Sequence, residues 1–313
     1  MAHFKPELLE ELIKISGASG DEGRIRDFII DYVQSHQSEW KAQPELFYGD
    51  GFQDAIILVF GQPKTAIFAH MDTIGFTTGY DKSLIKIGGP RAIDGMKLVG
   101  SDSKGPIETE LMIIEDDDGQ KSLKYVFDRE IDRGTNLTFK PNFRLNNKYL
   151  QSPYLDNRLG VLNALNAAAH LENGAIVFST YEEHGGGSVG FLGRFLYDRY
   201  NVHQGLISDI TWVTDGVMHG GGVAISMRDS GVPRRSFLNR IISIADQEGI
   251  HYQLEVESGG GSDGTMLQQT DLPFDWCFIG APEDHVHSPD EKVFLSDIED
   301  MMELYVVLMK ALN

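Results

Sequence analysis

TAIFAHMDTIGF (65–76) is a nearly continuous apolar run that ends on a histidine and an acid, His70 and Asp72. The turn composition GQPK (61–64) precedes it, and before that lies a second apolar run, AIILVF (55–60). Short apolar runs without polar alternation, bounded by turn residues, predict strands covered on both faces. The same pattern recurs in AIVFST (175–180), GLISDI (205–210), VAISM (223–227), YQLEV (252–256) and WCFIG (276–280). Helical spacing fills the intervals. Leu8, Leu9, Leu12 and Ile13 share one helix face. Ile25, Phe28, Ile29 and Val33 share another, with Asp21 placed to cap that helix. A third helix carries Val161, Leu162, Leu165, Ala168 and Ala169, and others run through Phe191 and Phe195, from about Ser236 to Gln247, and from Ser296 to about Leu312. Strands alternating with helices predict an α/β fold, a sheet with helices on both faces.

Character changes between about residues 77 and 149. Short β-like runs alternate there with turns such as GGPRAIDG, EDDDGQ and FDREIDRGT, and no long helical period occurs. The reading is a small β domain at 77–149, inserted into a body made of 1–76 and 150–313.

Composition narrows the function. The chain has 313 residues and a formal charge of −20. A nucleic-acid backbone demands a basic footprint, and an anionic membrane surface repels an acidic chain, so neither is an expected partner. No stretch approaches a membrane span, and the start, MAHFKPELLEELIK, has no basic segment followed by an apolar run. The single cysteine, Cys277, can make neither an internal disulfide nor a thiolate metal site, which points to a reduced, cytoplasmic setting.

Ligands gather at the carboxyl ends of strands in open α/β sheets. His70 and Asp72 follow AIFA; Asp156 opens the helix after the β-like segment; Glu182 and Glu183 follow AIVFST; Asp209 lies in GLISDI; His285 and His287 follow WCFIG. Taken singly, each has an ordinary explanation: a helix cap for Asp156, a solvated loop for the Glu pair, a satisfied polar residue for His70. Their convergence on one sheet edge is the signal. Histidines and carboxylates without thiolate suit zinc, manganese or cobalt. Three ligating carboxylates bring −3 and two divalent ions +4, which leaves a charge that one hydroxide neutralises. Two such ions roughly 3.5–4 Å apart clamp a carbonyl oxygen and activate water, and a separate carboxylate must take the water's proton.

AHMDTIGF, YLDNRLG, the Glu pair before a glycine-rich turn, GGGVAISMRDS, GGGSDGTML and HVHSP, in that order, resemble the glutamyl and deblocking (TET-type) aminopeptidases, a family of co-catalytic zinc metallopeptidases. The resemblance runs over nearly the whole chain. It implies a mixed sheet sandwiched by helices with an inserted small β-barrel. It implies two divalent metal ions, His70, Asp156 and Asp209 on one and Asp156, Glu183 and His287 on the other. Asp72 would orient His70, and Glu182 would be the general base. Gly259–Gly261 and Asp263 would shape the pocket floor, and the roles of His184 and His285 stay open. The implied activity is removal of N-terminal residues from short peptides, by a homo-oligomer that is a dimer or a dodecamer. A related metal-dependent carboxypeptidase or deacylase would share the ligands but carry a helical insert. A non-catalytic scaffold of the same fold would have lost the base or a ligand. For a glutamyl or aspartyl preference the nearby cations are Arg228, Arg234 and Arg235.

Overall fold

A computed structural model describes residues 4–313; His3, to which the sequence assigns no role, lies outside the described residues. An 11-stranded mixed sheet forms the body. At its centre Gly174–Ser179, Thr65–His70, Gln204–Trp212 and Asp275–Asp284 lie side by side, each parallel to the next. Ile56–Phe60 and then Glu45–Phe47 extend one flank in antiparallel fashion. On the other flank Val223–Arg228 pairs with Asp275–Asp284 and carries Tyr252–Val256 beyond it. Lys292–Phe294 pairs with the far end of Asp275–Asp284, followed by Tyr149–Gln151 and Arg144–Leu145.

The unbroken apolar runs follow from this layering. Side chains alternate across a strand, so Ile56, Leu58 and Phe60 enter one core while Ile57 and Val59 enter the other. The first core packs the helices Pro6–Lys14, Gly23–His36, Leu155–Ala168, Arg235–Glu248 and Leu295–Leu312 against the sheet. The second packs Val189–Tyr200 through Val189, Leu192 and Leu196. The α/β expectation, helices on both faces of a mixed sheet, therefore holds.

The second sheet has six strands, all antiparallel, in the spatial order Leu84–Ile87, Gly75–Thr78, Asn136–Phe139, Lys97–Asp102, Gly105–Glu115, Lys121–Val126. A bridge between Ser83 and Lys124 brings its two edges together, giving a nearly closed barrel. Along Gly105–Glu115, Ile107, Thr109 and Leu111 point inward while Glu108, Glu110 and Met112 face out. The inner residues meet Phe76, Leu98, Tyr125, Leu137 and Phe139 in a separate core.

Two local expectations change. The second helix, Gly23–His36, has no side-chain cap hydrogen bond, so Asp21 does not cap it. The neighbouring Glu22 is buried instead and accepts a hydrogen bond from Tyr181 N, 159 residues away. At Leu155–Ala168 the backbone of Asp156 and Asn157 is non-helical. Asn157 Oδ1 accepts from Gly160 N at 2.9 Å, so Asn157 does the capping and the Asp156 carboxylate is free to point elsewhere. Among the described residues, no helix is long and apolar enough to cross a membrane.

Candidate active site

Strand register sets the site. Ser179 pairs with His70, the last residue of its strand. On the other side Ile207 pairs with Phe68, which puts Asp209 level with His70. The chain leaving Ser179 turns through Tyr181, at φ 62°, into Glu182 and Glu183. The turn after Asp275–Asp284 presents His287, itself at φ 64°. Asp156 arrives from the non-helical start of Leu155–Ala168.

These residues converge. His70 Nε2 lies 3.2 Å from Asp156 Oδ1, 3.6 Å from Asp209 Oδ2 and 4.0 Å from Glu182 Oε2. His287 Nε2 lies 3.3 Å from Asp156 Oδ2 and 3.1 Å from Glu183 Oε2. Two overlapping triads result, His70–Asp156–Asp209 and Asp156–Glu183–His287, in each of which the donor atoms lie within 4.8 Å of one another. Asp156 belongs to both, one oxygen to each.

Asp72 stands behind this cluster, fully buried. Its Oδ1 is 3.4 Å from His70 Nδ1. The same carboxylate accepts from Glu182 N and Glu183 N, each at 3.1 Å, and from Ser19 Oγ at 2.6 Å. One side chain thus ties the His70 ring to the Glu182–Glu183 backbone. Glu291, which the sequence reading did not single out, plays a parallel part. It accepts from His287 N at 3.0 Å and from Asp156 N at 3.3 Å. Arg158 is buried beneath the site and donates to Met71 O and, at 2.9 Å, to Ile15 O, bracing the loops from below.

The electrostatics follow from burial. Desolvation pushes the Glu182 carboxyl well above its usual range and Glu183 up to about 7. Burial also raises Asp209. Asp156 resists the same penalty because His287 and His70 hold its carboxyl well below the usual value. Four carboxyls, Asp156, Glu182, Glu183 and Asp209, face two imidazoles, so the cluster holds more acid groups than its own partners can balance. Glu183 Oε1 is buried without any hydrogen-bond partner. Excess carboxylate, imidazole nitrogen and an orphaned oxygen form a donor set that fits divalent metal ions.

The two open histidines resolve differently. His184 Nδ1 accepts from Gly88 N at 3.0 Å, tying a loop after the small sheet's first spatial strand to the Glu turn. His285 is exposed and does not line the cavity beside the cluster. That cavity, about 500 Å³, is lined by His70, Asp156, Glu182, Glu183, Asp209 and His287 and continues along Thr211, Trp212, Glu255 and Gly259–Gly261. Asp263 lies outside the lining, buried, and accepts from Ser179 Oγ.

Comparison with known proteins assigns this arrangement to a class. The profile of the M42 glutamyl aminopeptidase family matches residues 96–304, and the chain belongs to that family. It is a hydrolase acting on peptides, of a metal-dependent kind. A protein of Acetivibrio thermocellus, provisionally named an aminopeptidase, is 27% identical over 331 residues, spanning 96% of this chain and 97% of that one. Aminopeptidase APDkam598 of the archaeon Desulfurococcus kamchatkensis superposes with a TM-score of 0.84 at 21% identity, over 97% of this chain and 94% of its own. The TET1 peptidase of Pyrococcus horikoshii, which assembles into a tetrahedron or a large octahedral shell, gives a TM-score of 0.78 at 24% identity, over 97% and 98%.

Proposed function

We propose that this chain is a dinuclear metalloaminopeptidase that removes single residues from the N-termini of short peptides. The observation that carries the reading is the pair of triads sharing Asp156. His70, Asp156 and Asp209 would hold one divalent ion, and Asp156, Glu183 and His287 the other. Zinc suits the imidazole–carboxylate donors best, with cobalt and manganese as alternatives. When bound, such ions polarise a carbonyl and bring the pKa of water to about 7.

The remaining chemistry belongs to the chain. Glu182 points into the cavity beside His70 without belonging to either triad. Its raised proton affinity suits a group that takes a proton from water and returns it to the leaving amine. Asp72 positions it, through the Glu182 backbone and the His70 ring together. The nearly closed barrel favours this reading over a carboxypeptidase or deacylase with a helical insert, and the presence of base and ligands disfavours a scaffold.

The proposed division of labour gives chemistry to residues 1–76 and 150–313, and assembly or substrate access to 77–149. Exposed Ile85, Ile93 and Val126 in that segment offer apolar surface for a homo-oligomer, a dimer or a dodecamer. The buried free thiol of Cys277 suits a reducing compartment, and the cytoplasm is the proposed place of action.

Glu182→Gln tests the assignment. It is expected to retain two metal equivalents and to lose on the order of 10²–10⁴ in turnover. Near-normal turnover would remove Glu182 as the base. N-acetylated peptides should resist cleavage, and their hydrolysis would favour the deacylase alternative.

A further inference from the structure

Beyond the triads, the wall of the 500 Å³ cavity holds Asp229, Glu255 and Glu257, and among the described residues no lysine or arginine lines it. The cations nearest in sequence lie outside the lining, although the Arg228 charge acts on Asp229. Arg234 is paired with Asp275 through Nε and Nη2. Arg228 is exposed and donates Nε to the backbone carbonyl of Asp229 at 3.2 Å. Arg235 is exposed and outside the lining.

Glu255 is the informative member. It is 97% buried by its 3% relative exposure, yet it forms no ion pair among the described residues. Its Oε1 accepts from Thr211 Oγ1, and the Ser226 hydroxyl, which has no other partner, lies against the same carboxyl. Asp229, also buried, accepts from Gly231 N at 2.6 Å and Thr265 Oγ1 at 3.4 Å, with no ion pair. A buried carboxylate with no ion-pair partner favours an incoming cation. Burial accordingly pushes both carboxyls above their usual values.

Direction within the cavity follows from the substrate. The outgoing peptide has no fixed length and must leave through open solvent. The Asp229 and Glu255 part of the wall is buried and suits a side chain. An acidic side chain there would meet three carboxylates and no cation. An apolar one would desolvate the Glu255 carboxyl further without offering it a charge.

We infer that this wall is the pocket for the first residue's side chain and that it selects a cation, lysine or arginine, with the head group on Glu255 and Asp229 and Glu257 beside it. The inference rests on the aminopeptidase reading and sharpens it to one substrate class.

The test is a panel of lysyl, arginyl, norleucyl and glutamyl p-nitroanilides with metal-loaded enzyme. Norleucine keeps the length of lysine and drops its charge, so the lysyl-to-norleucyl ratio of kcat/KM isolates the head group. That ratio is expected to be at least about tenfold, with glutamyl lowest, and to fall about tenfold or more in Glu255→Gln. A norleucyl or glutamyl preference overturns the inference and leaves the aminopeptidase reading intact. So does equal cleavage of lysyl and norleucyl substrates with both weakened by Glu255→Gln, which would put the α-amine on Glu255. If Glu255→Gln does not fold, the wild-type ratio decides alone. Failure to cleave any of the four with zinc, cobalt or manganese overturns the aminopeptidase reading instead. Calorimetry on the metal-free protein then judges the pocket: lysinamide binding more tightly than norleucinamide supports it, and equal binding overturns it.

Discussion

Replacing Asp72 by Asn probes how the site is held. The carboxylate serves Glu182 N through Oδ1, and Glu183 N and Ser19 Oγ through Oδ2. Asn keeps one acceptor and turns the other into a donor, so one backbone N–H of the Glu turn loses its partner whichever way the amide faces. With the amide nitrogen in place of Oδ2, the Ser19 hydroxyl can rotate to accept, and only Glu183 N is stranded. With it in place of Oδ1, Glu182 N is stranded and the amide faces His70 Nδ1 at about the 3.4 Å of the present contact. Losing one hydrogen bond to a charged acceptor costs roughly 1.5–3 kcal/mol, and a buried N–H left bare adds to it. Metal affinity is expected to fall about 10- to 100-fold, because the group orienting His70 has lost its charge. Turnover should fall with it. Denaturant unfolding of metal-free protein reads the first effect, and chelator competition for zinc the second. Unchanged stability with unchanged zinc affinity would refute the claim that Asp72 joins the His70 ring to the Glu turn.

Three further outcomes follow. Tyr305 Oη, fully buried, reaches Ile207 O at 2.5 Å and Ile279 O at 2.9 Å from the last helix, so Tyr305→Phe should lose about 1–2 kcal/mol in chemical denaturation while metal binding persists. A Cβ on Gly160 would stand 2.1 Å from Asn157 Oδ1 and 2.2 Å from Ser208 O, and Gly160→Ala should cost about 1–3 kcal/mol or more; a stability equal to wild type would show the Asn157 cap to be dispensable. Burial, with Asp72 nearby, pushes Glu22 up to about 7 from an ordinary 4.5. A raised carboxyl stabilises the fold below the ordinary value, and this contribution disappears as pH rises through about 7. Glu22→Gln should therefore melt higher than wild type at pH about 8 in metal-free protein, with the gap closing near pH about 5. A gap that widens on acidification would reverse the assigned direction.

The central strands were legible because each is covered on both faces, which turns its sequence into an unbroken apolar run. Their ends were legible because the topology collects strand-end loops on one edge, so His70, Asp72, Asp156, Glu182, Glu183, Asp209 and His287 could be gathered without knowing any distance, together with His285, which lies exposed and outside the cavity. What stayed hidden depends on contacts with no local pattern. Glu291 meets Asp156 across 135 residues, and Glu22 meets Tyr181 across 159. An acid four residues past His287 was the available hint for Glu291, and it reads equally well as solvated surface. The expected cap at Asp21 failed for a related reason. Local spacing describes Asp21, while tertiary burial recruits its neighbour Glu22. Glu45–Phe47 and Lys292–Phe294 have three residues each, too short for alternation to stand out.

The strand Gln204–Trp212 links the metal-binding cluster to the proposed side-chain pocket. Asp209 and Thr211 are two residues apart and so face the same side of the sheet. Asp209 enters the His70 triad, and Thr211 donates to Glu255 in the cavity wall. Both are buried, on a strand whose pairing with Asp275–Asp284 runs unbroken from Gln204 to Trp212. A rigid strand fixes the separation between the reacting carbonyl and the pocket, so a side chain of the wrong length or charge would displace the carbonyl as well as lose its own contact. Selectivity should then be expressed in kcat as well as in KM. The formal charge of −20 gains a more specific meaning on this view. Most of the acid excess is solvated surface, and a few buried acids carry the function. Those around His70 would be balanced by metal, and Glu255 would be left for the proposed substrate to balance.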